Sequence, residues 1–169
     1  MNTSLIETYA FLKELGIIVE RKGKKLILPG TSISFTANKD SITLSCDRGD
    51  LLIPLINGGS IDIETIIYRV TEVMFAETGD HNSNLVKDLA AALNKTAGGR
   101  KKNYKLRHNT IENLDNLKTI VVIPFDNCMV VTIYSGIMAN NINVHKLTLP
   151  NEGLEIFAPI IHGLAKMAF

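Results

Sequence analysis

Apolar positions change period along the chain, and the changes mark its elements. Leu5, Tyr9, Leu12 and Leu15 recur at helical spacing behind Ser4-Leu5-Ile6-Glu7, which has capping-box spacing, so residues 4–15 read as a short amphipathic helix stopped by Gly16. The next forty residues alternate with period two. A hairpin is expected around Lys22-Gly23-Lys24, then strands over 33–36, 41–45 and 51–56, separated by Asn38-Lys39-Asp40 and Asp47-Arg48-Gly49-Asp50. After Asn57-Gly58-Gly59-Ser60 the period returns to 3.6. Ile63, Ile66, Ile67, Val70, Val73 and Met74 predict a strong helix, with Asp62 at its positive end.

The second half begins with a weaker helical pattern over 84–94, carried by Leu85, Leu89, Ala92 and Leu93. A basic run follows. Then come two β-rich runs, KTIVVIPF and CMVVTIYSG, joined around Asp126-Asn127, and a third, NVHKLTL. The chain ends in a helical stretch with Leu154, Phe157, Ile161, Leu164, Ala165 and Ala168 as its apolar stripe, in which Pro159 either kinks the helix or marks its first turn.

This pattern predicts an α+β domain spanning 1–169, with antiparallel sheets and an N-terminal helix. Each half runs from a basic extended segment through strands to a glycine-containing turn and an apolar helix. LIPLINGGSIDIETII and LTLPNEGLEIFAPII close the two halves alike. Tandem ββββα-like units over 17–78 and 103–168 are therefore expected, joined by the 84–94 helix and a basic loop.

Composition supports one packed core: 46 % of residues are hydrophobic and the mean hydropathy is +0.14. With 6 % aromatics and no tryptophan, Ile, Leu and Val must fill it. Abundant Ile, Asn and Lys, without glutamine, suit an AT-rich genome such as that of a low-GC bacterium or its phage. Cys46 and Cys128 stand apart, as reduced thiols of a cytosolic protein would, and no apolar run approaches the ~20 residues that span a bilayer. The amphipathic start of the chain resembles neither a secretory nor a transit signal. The expected setting is cytoplasmic, in the host cytoplasm if the chain is viral, with no membrane partner.

Charge changes the picture more. Lys95, Arg100, Lys101, Lys102, Lys105 and Arg107 lie in a stretch with no acid between Asp88 and Glu112. Without these six the chain has 12 basic and 17 acidic residues, so an acidic body of net −5 is masked by one basic segment. A solubilising face normally mixes signs. Gly98-Gly99 leads into NYKLR, where alternation sets Tyr104 and Leu106 on one side and Lys105 and Arg107 on the other. Cations that track phosphates beside an aromatic that stacks on a base are the parts of a single-strand binding surface. The expected nucleic-acid-binding residues are Arg100, Lys101, Lys102, Tyr104, Lys105, Arg107 and His108. If the halves correspond, Arg21, Lys22, Lys24 and Lys25 join them along one groove.

Catalytic and metal chemistry is not signalled. His81, His108, His145 and His162 show no ligand spacing, and neither HExxH nor GxSxG occurs. The loops at Asn57–Ser60 and Ala97–Arg100 lack the lysine and hydroxyl of a P-loop. No catalytic residue, metal or cofactor is expected.

Two successive four-strand-then-helix units resemble the Whirly and PUR-type single-stranded nucleic-acid-binding proteins, over residues 17–78 and 103–168. The KGKKA-type signature of the Whirly group is faintly echoed by Lys22-Gly23-Lys24-Lys25-Leu26. The helices at 4–15 and 84–94 are departures from that pattern. The resemblance implies strands that form the binding surface and helices that serve packing and oligomerisation. No binding residue transfers by motif. The expected function is non-enzymatic binding of single-stranded RNA or DNA with little sequence specificity, by a homo-oligomer. The alternative is a structural, assembly or regulatory protein-interaction module.

Overall fold

A computed structural model describes residues 2–98, 103–135 and 143–167. Helix α1 (Thr3–Glu14) opens the chain, but the expected capping box does not form. Asn2 takes that role, its side-chain oxygen accepting from the Ser4 amide at 2.8 Å. Ser4 is the second helical residue, only 3 % exposed, because its position faces the core. Five consecutive antiparallel strands follow: β1 (Glu20–Lys22), β2 (Lys25–Ile27), β3 (Ser34–Ala37), β4 (Ser41–Cys46) and β5 (Gly49–Pro54). The first hairpin turns over two residues, with Gly23 at φ +62°, a conformation that glycine adopts without steric cost. Cross-strand rows Leu26–Phe35–Leu44 and Ala37–Ile42–Ile53 form the inner face of this sheet. Helix α2 (Ile63–Glu77) packs into that core, capped by Asp62, whose carboxylate accepts from the Thr65 amide at 3.2 Å.

The second half repeats the order of the first. Helix α3 (Asn84–Thr96) precedes β6 (Tyr104–Arg107), β7 (Thr110–Asn113), β8 (Thr119–Pro124), β9 (Cys128–Ser135) and β10 (Asn143–Pro150), and α4 (Leu154–Lys166) closes the chain. Each half is thus a helix, five strands and a helix. The helix read as a joining element stands before the second sheet as α1 stands before the first. Strand β7 was not anticipated; its short polar run hides the hairpin through which it pairs with β6. Pro159 lies within α4 on an exposed position, where the carbonyl it leaves unbonded can meet water.

The second sheet is covered on both faces, which is why KTIVVIPF reads as an unbroken apolar run. Val121, Ile123 and Tyr134 join the core of the first half. Ile111, Ile120, Val122, Val131 and Ile133 pack with Leu89 and Leu93 of α3 and Ile161 of α4. The layers run sheet, α1 with α2, sheet, α3 with α4. Buried Thr132 ties the halves by donating to the Leu15 carbonyl at 3.2 Å. Beside it Gly16, at φ +81°, lets the chain turn against β9, since a Cβ there would lie 2.8 Å from Val130 Cγ1. No helix among the described residues is long and apolar enough to cross a membrane.

Candidate nucleic-acid interface

The β6–β7 hairpin carries the described part of the basic run. Its two-residue loop is His108-Asn109, with His108 in the left-handed region at φ +56°. Register places Lys105, Glu112, Thr119 and Tyr134 in one row across β6 to β9, on the face turned toward α2. Alternation puts Arg107 on that same face and Tyr104 on the other, as the sequence pattern requires.

The stacking role expected of Tyr104 is overturned. Its ring is 2 % exposed in the core shared with α3 and α4, the most apolar environment open to that side of β6. Its backbone amide and carbonyl are both held by the Asn94 side chain, at 2.9 and 3.0 Å, so α3 closes the sheet edge there. Its hydroxyl bonds His162 Nδ1, and the two rings meet edge to face at 5.7 Å. Burial, with Asp115 second, pushes the Tyr104 phenol up to about 12. Burial and then Lys166 hold His162 below its ordinary value, against an opposing pull from Asp115. A neutral imidazole accepting from the phenol satisfies both groups.

Lys105, Arg107 and His108 are exposed. Arg107 approaches Glu112 at 3.7 Å, and Glu112 is the less exposed partner, 20 % against 59 %. His108 packs on Tyr68 of α2, with ring centroids 4.4 Å apart, while Arg69 lies 5.0 Å over the same tyrosine. Tyr68 is thus an aromatic ring packed against the basic hairpin, which Tyr104 is not. Arg100, Lys101 and Lys102 lie outside the described residues.

Between the hairpin and α2 lies a cavity of about 270 Å³. Its sheet wall is the row Glu112, Thr119 and Tyr134; its helix wall is Ile63, Glu64 and Ile67; His108 and Leu117 stand on its lining too. Tyr134 is pushed up to about 12, first by burial and then by the Glu64 carboxylate, with a hydrogen bond from Thr119 opposing. Leu117 adopts φ +60° and is 68 % exposed.

The other predicted cluster sits elsewhere. Arg21, Lys22, Lys24 and Lys25 are all exposed on the β1–β2 hairpin, at the edge of the first sheet. Arg21 and Lys13 lie over Tyr9 of α1, at 6.0 and 5.2 Å. Lys22 comes to 4.0 Å from Glu20. One cluster thus leans on α1 and the other faces α2, each on its own sheet.

Sequence reasoning missed Tyr68, Glu64, Glu112 and Leu117. The signal available was the dipeptide His108-Asn109 between two β-type runs, which implies a hairpin and so a Glu112–Lys105 pairing. Nothing in the periodicity marks Leu117. No protein-family profile matches the chain, and comparison with curated proteins and with solved structures finds no match.

Proposed function

We propose that this protein binds single-stranded RNA or DNA, without catalysis, along the β6–β7 hairpin. One observation carries the reading: Lys105 and Arg107 lie on the same face of the sheet as a cavity at whose lining His108 packs on Tyr68. Lys105 and Arg107 take phosphates, the first as a point charge and the second as a fork. Tyr68 and His108 take the stacking role, and the acidic body keeps binding to this edge. Element order alike in two halves keeps the likeness to Whirly and PUR-type proteins in view as support by analogy.

The test is fluorescence anisotropy with labelled single-stranded RNA, single-stranded DNA and duplex at two salt concentrations. Binding to single strands that weakens steeply with salt is expected, because phosphate contacts release counterions. Absence of salt-dependent binding to every probe refutes the proposal.

Helix α4 favours a second reading, in which the chain works by association with protein, first of all with itself. Ile156 and Ile160 on it, and Met167 just past its end, are 73, 53 and 51 % exposed. Ile160→Lys should then lower the mass measured by light scattering while the fold, followed by circular dichroism, stays intact. An unchanged mass removes this reading.

A further inference from the structure

We propose that the cavity between α2 and the β6–β7 hairpin takes one unpaired nucleobase, and that guanine is the base its walls fit. The proposal rests on the single-strand reading above and adds what that reading lacks, a base preference. At about 270 Å³ the cavity falls just below the ~300–1,000 Å³ of drug-sized sites, so it suits a single planar ring system. Its helix wall is apolar at Ile63 and Ile67, as a base face requires, and His108 against Tyr68 offers a stacking surface.

Backbone strain points to the same place. Among the described residues only Asn57, Ser83, His108 and Leu117 hold a positive φ without being glycine, and two of these four line this cavity. Asparagine and histidine visit that region with some ease; leucine does not. A strained leucine left 68 % exposed gains little from burial; the β7–β8 turn holds it, its amide donating to the Asn113 carbonyl at 2.8 Å, and so sets it on the cavity lining.

Hydrogen-bonding groups select the base. Glu112, Glu64 and Arg107 all line the cavity, so two carboxylates and one guanidinium stand within reach of a bound base. The Arg107–Glu112 approach of 3.7 Å is longer than a hydrogen bond, so neither group is saturated by the other. An incoming base must offer N–H donors to the acids and an acceptor to the arginine. Adenine and cytosine offer one amine beside ring acceptors, and uracil a single N–H between two carbonyls. Guanine alone sets N1–H and the N2 amine side by side, next to the O6 acceptor.

The test uses the full chain and labelled single-stranded RNA twelve-mers: all-uridine, or uridine with one central guanosine, inosine, adenosine or cytidine. The guanosine strand should bind about tenfold tighter than all-uridine, the discrimination of one good bidentate contact. Inosine, which lacks the N2 amine, should lose most of that gain. The isosteric variant Glu112→Gln should bind the guanosine strand no tighter than the all-uridine strand. Equal salt-dependent affinity for all five strands overturns the guanine pocket and leaves the single-strand reading standing. No binding to any strand overturns both.

Discussion

Replacing Tyr104 separates a core role from a stacking role. Tyr104→Phe keeps the ring and removes the hydroxyl that bonds His162 Nδ1. The imidazole is only partly buried, so water replaces the lost partner and the cost should be that of one net hydrogen bond, about 0.5–1.5 kcal/mol. For a chain of 169 residues, at about 2–4 °C per kcal/mol, that is a drop of about 1–6 °C in Tm. Tyr104→Ala empties a fully buried ring site and should cost about 3–5 kcal/mol, a large share of the ~5–15 kcal/mol that holds a domain together. Urea denaturation followed by far-ultraviolet circular dichroism measures both. Single-strand affinity of the phenylalanine variant should match that of the unaltered chain. A Tyr104→Ala protein that melts normally yet loses strand binding would refute the burial argument and restore the exposed stacking role.

Two further predictions concern packing and pH. Gly16→Ala meets both a left-handed backbone and Val130 Cγ1 at 2.8 Å from the new Cβ, whereas Gly30→Ala, at φ +79°, meets open space. The first should cost about 1–3 kcal/mol more than the second in urea titrations, the overpacking contribution alone; equal costs would remove the close approach of α1 to β9. Because His162 titrates below its ordinary 6.5 when folded, the unfolded chain takes up that proton first. Stability is then full above pH 6.5 and falls as pH drops from there toward the folded value, and His162→Gln should flatten that stretch of the curve. At the other end, Tyr104 and Tyr134 at about 12 against 10.0 unfolded should cost stability as pH rises from 10 to 12, with both rings ionising late at 295 nm.

The regular elements were legible where one physical signal dominated. The stripe Ile63 to Met74 and the Asp62 cap give α2 from sequence, and the alternation of NYKLR gives the faces of β6 correctly. Alternation does not say which face the core covers. Lys105 and Arg107 face away from Tyr104, but the ring's burial depends on α3 together with α4, whose His162 lies 58 places along the chain. Ser4 and Asn2 illustrate a nearer limit: both can cap, and the choice falls to the residue not needed in the core. The cavity was illegible because it is a product of register. Glu112, Thr119 and Tyr134 are brought into one row by the β7–β8 and β8–β9 hairpins. Tyr68 then arrives from α2, in the other half of the chain.

The salt dependence of single-strand binding tests the central claim most directly. Anisotropy titrations of the unaltered chain and of a Lys105→Ala, Arg107→Ala double variant should both give linear plots of log affinity against log salt. Each phosphate contact removed lowers the slope by about 0.7, so the double variant should be shallower by about 1.4. Parallel lines, or no binding by the unaltered chain, would contradict the assignment of this hairpin as the nucleic-acid surface.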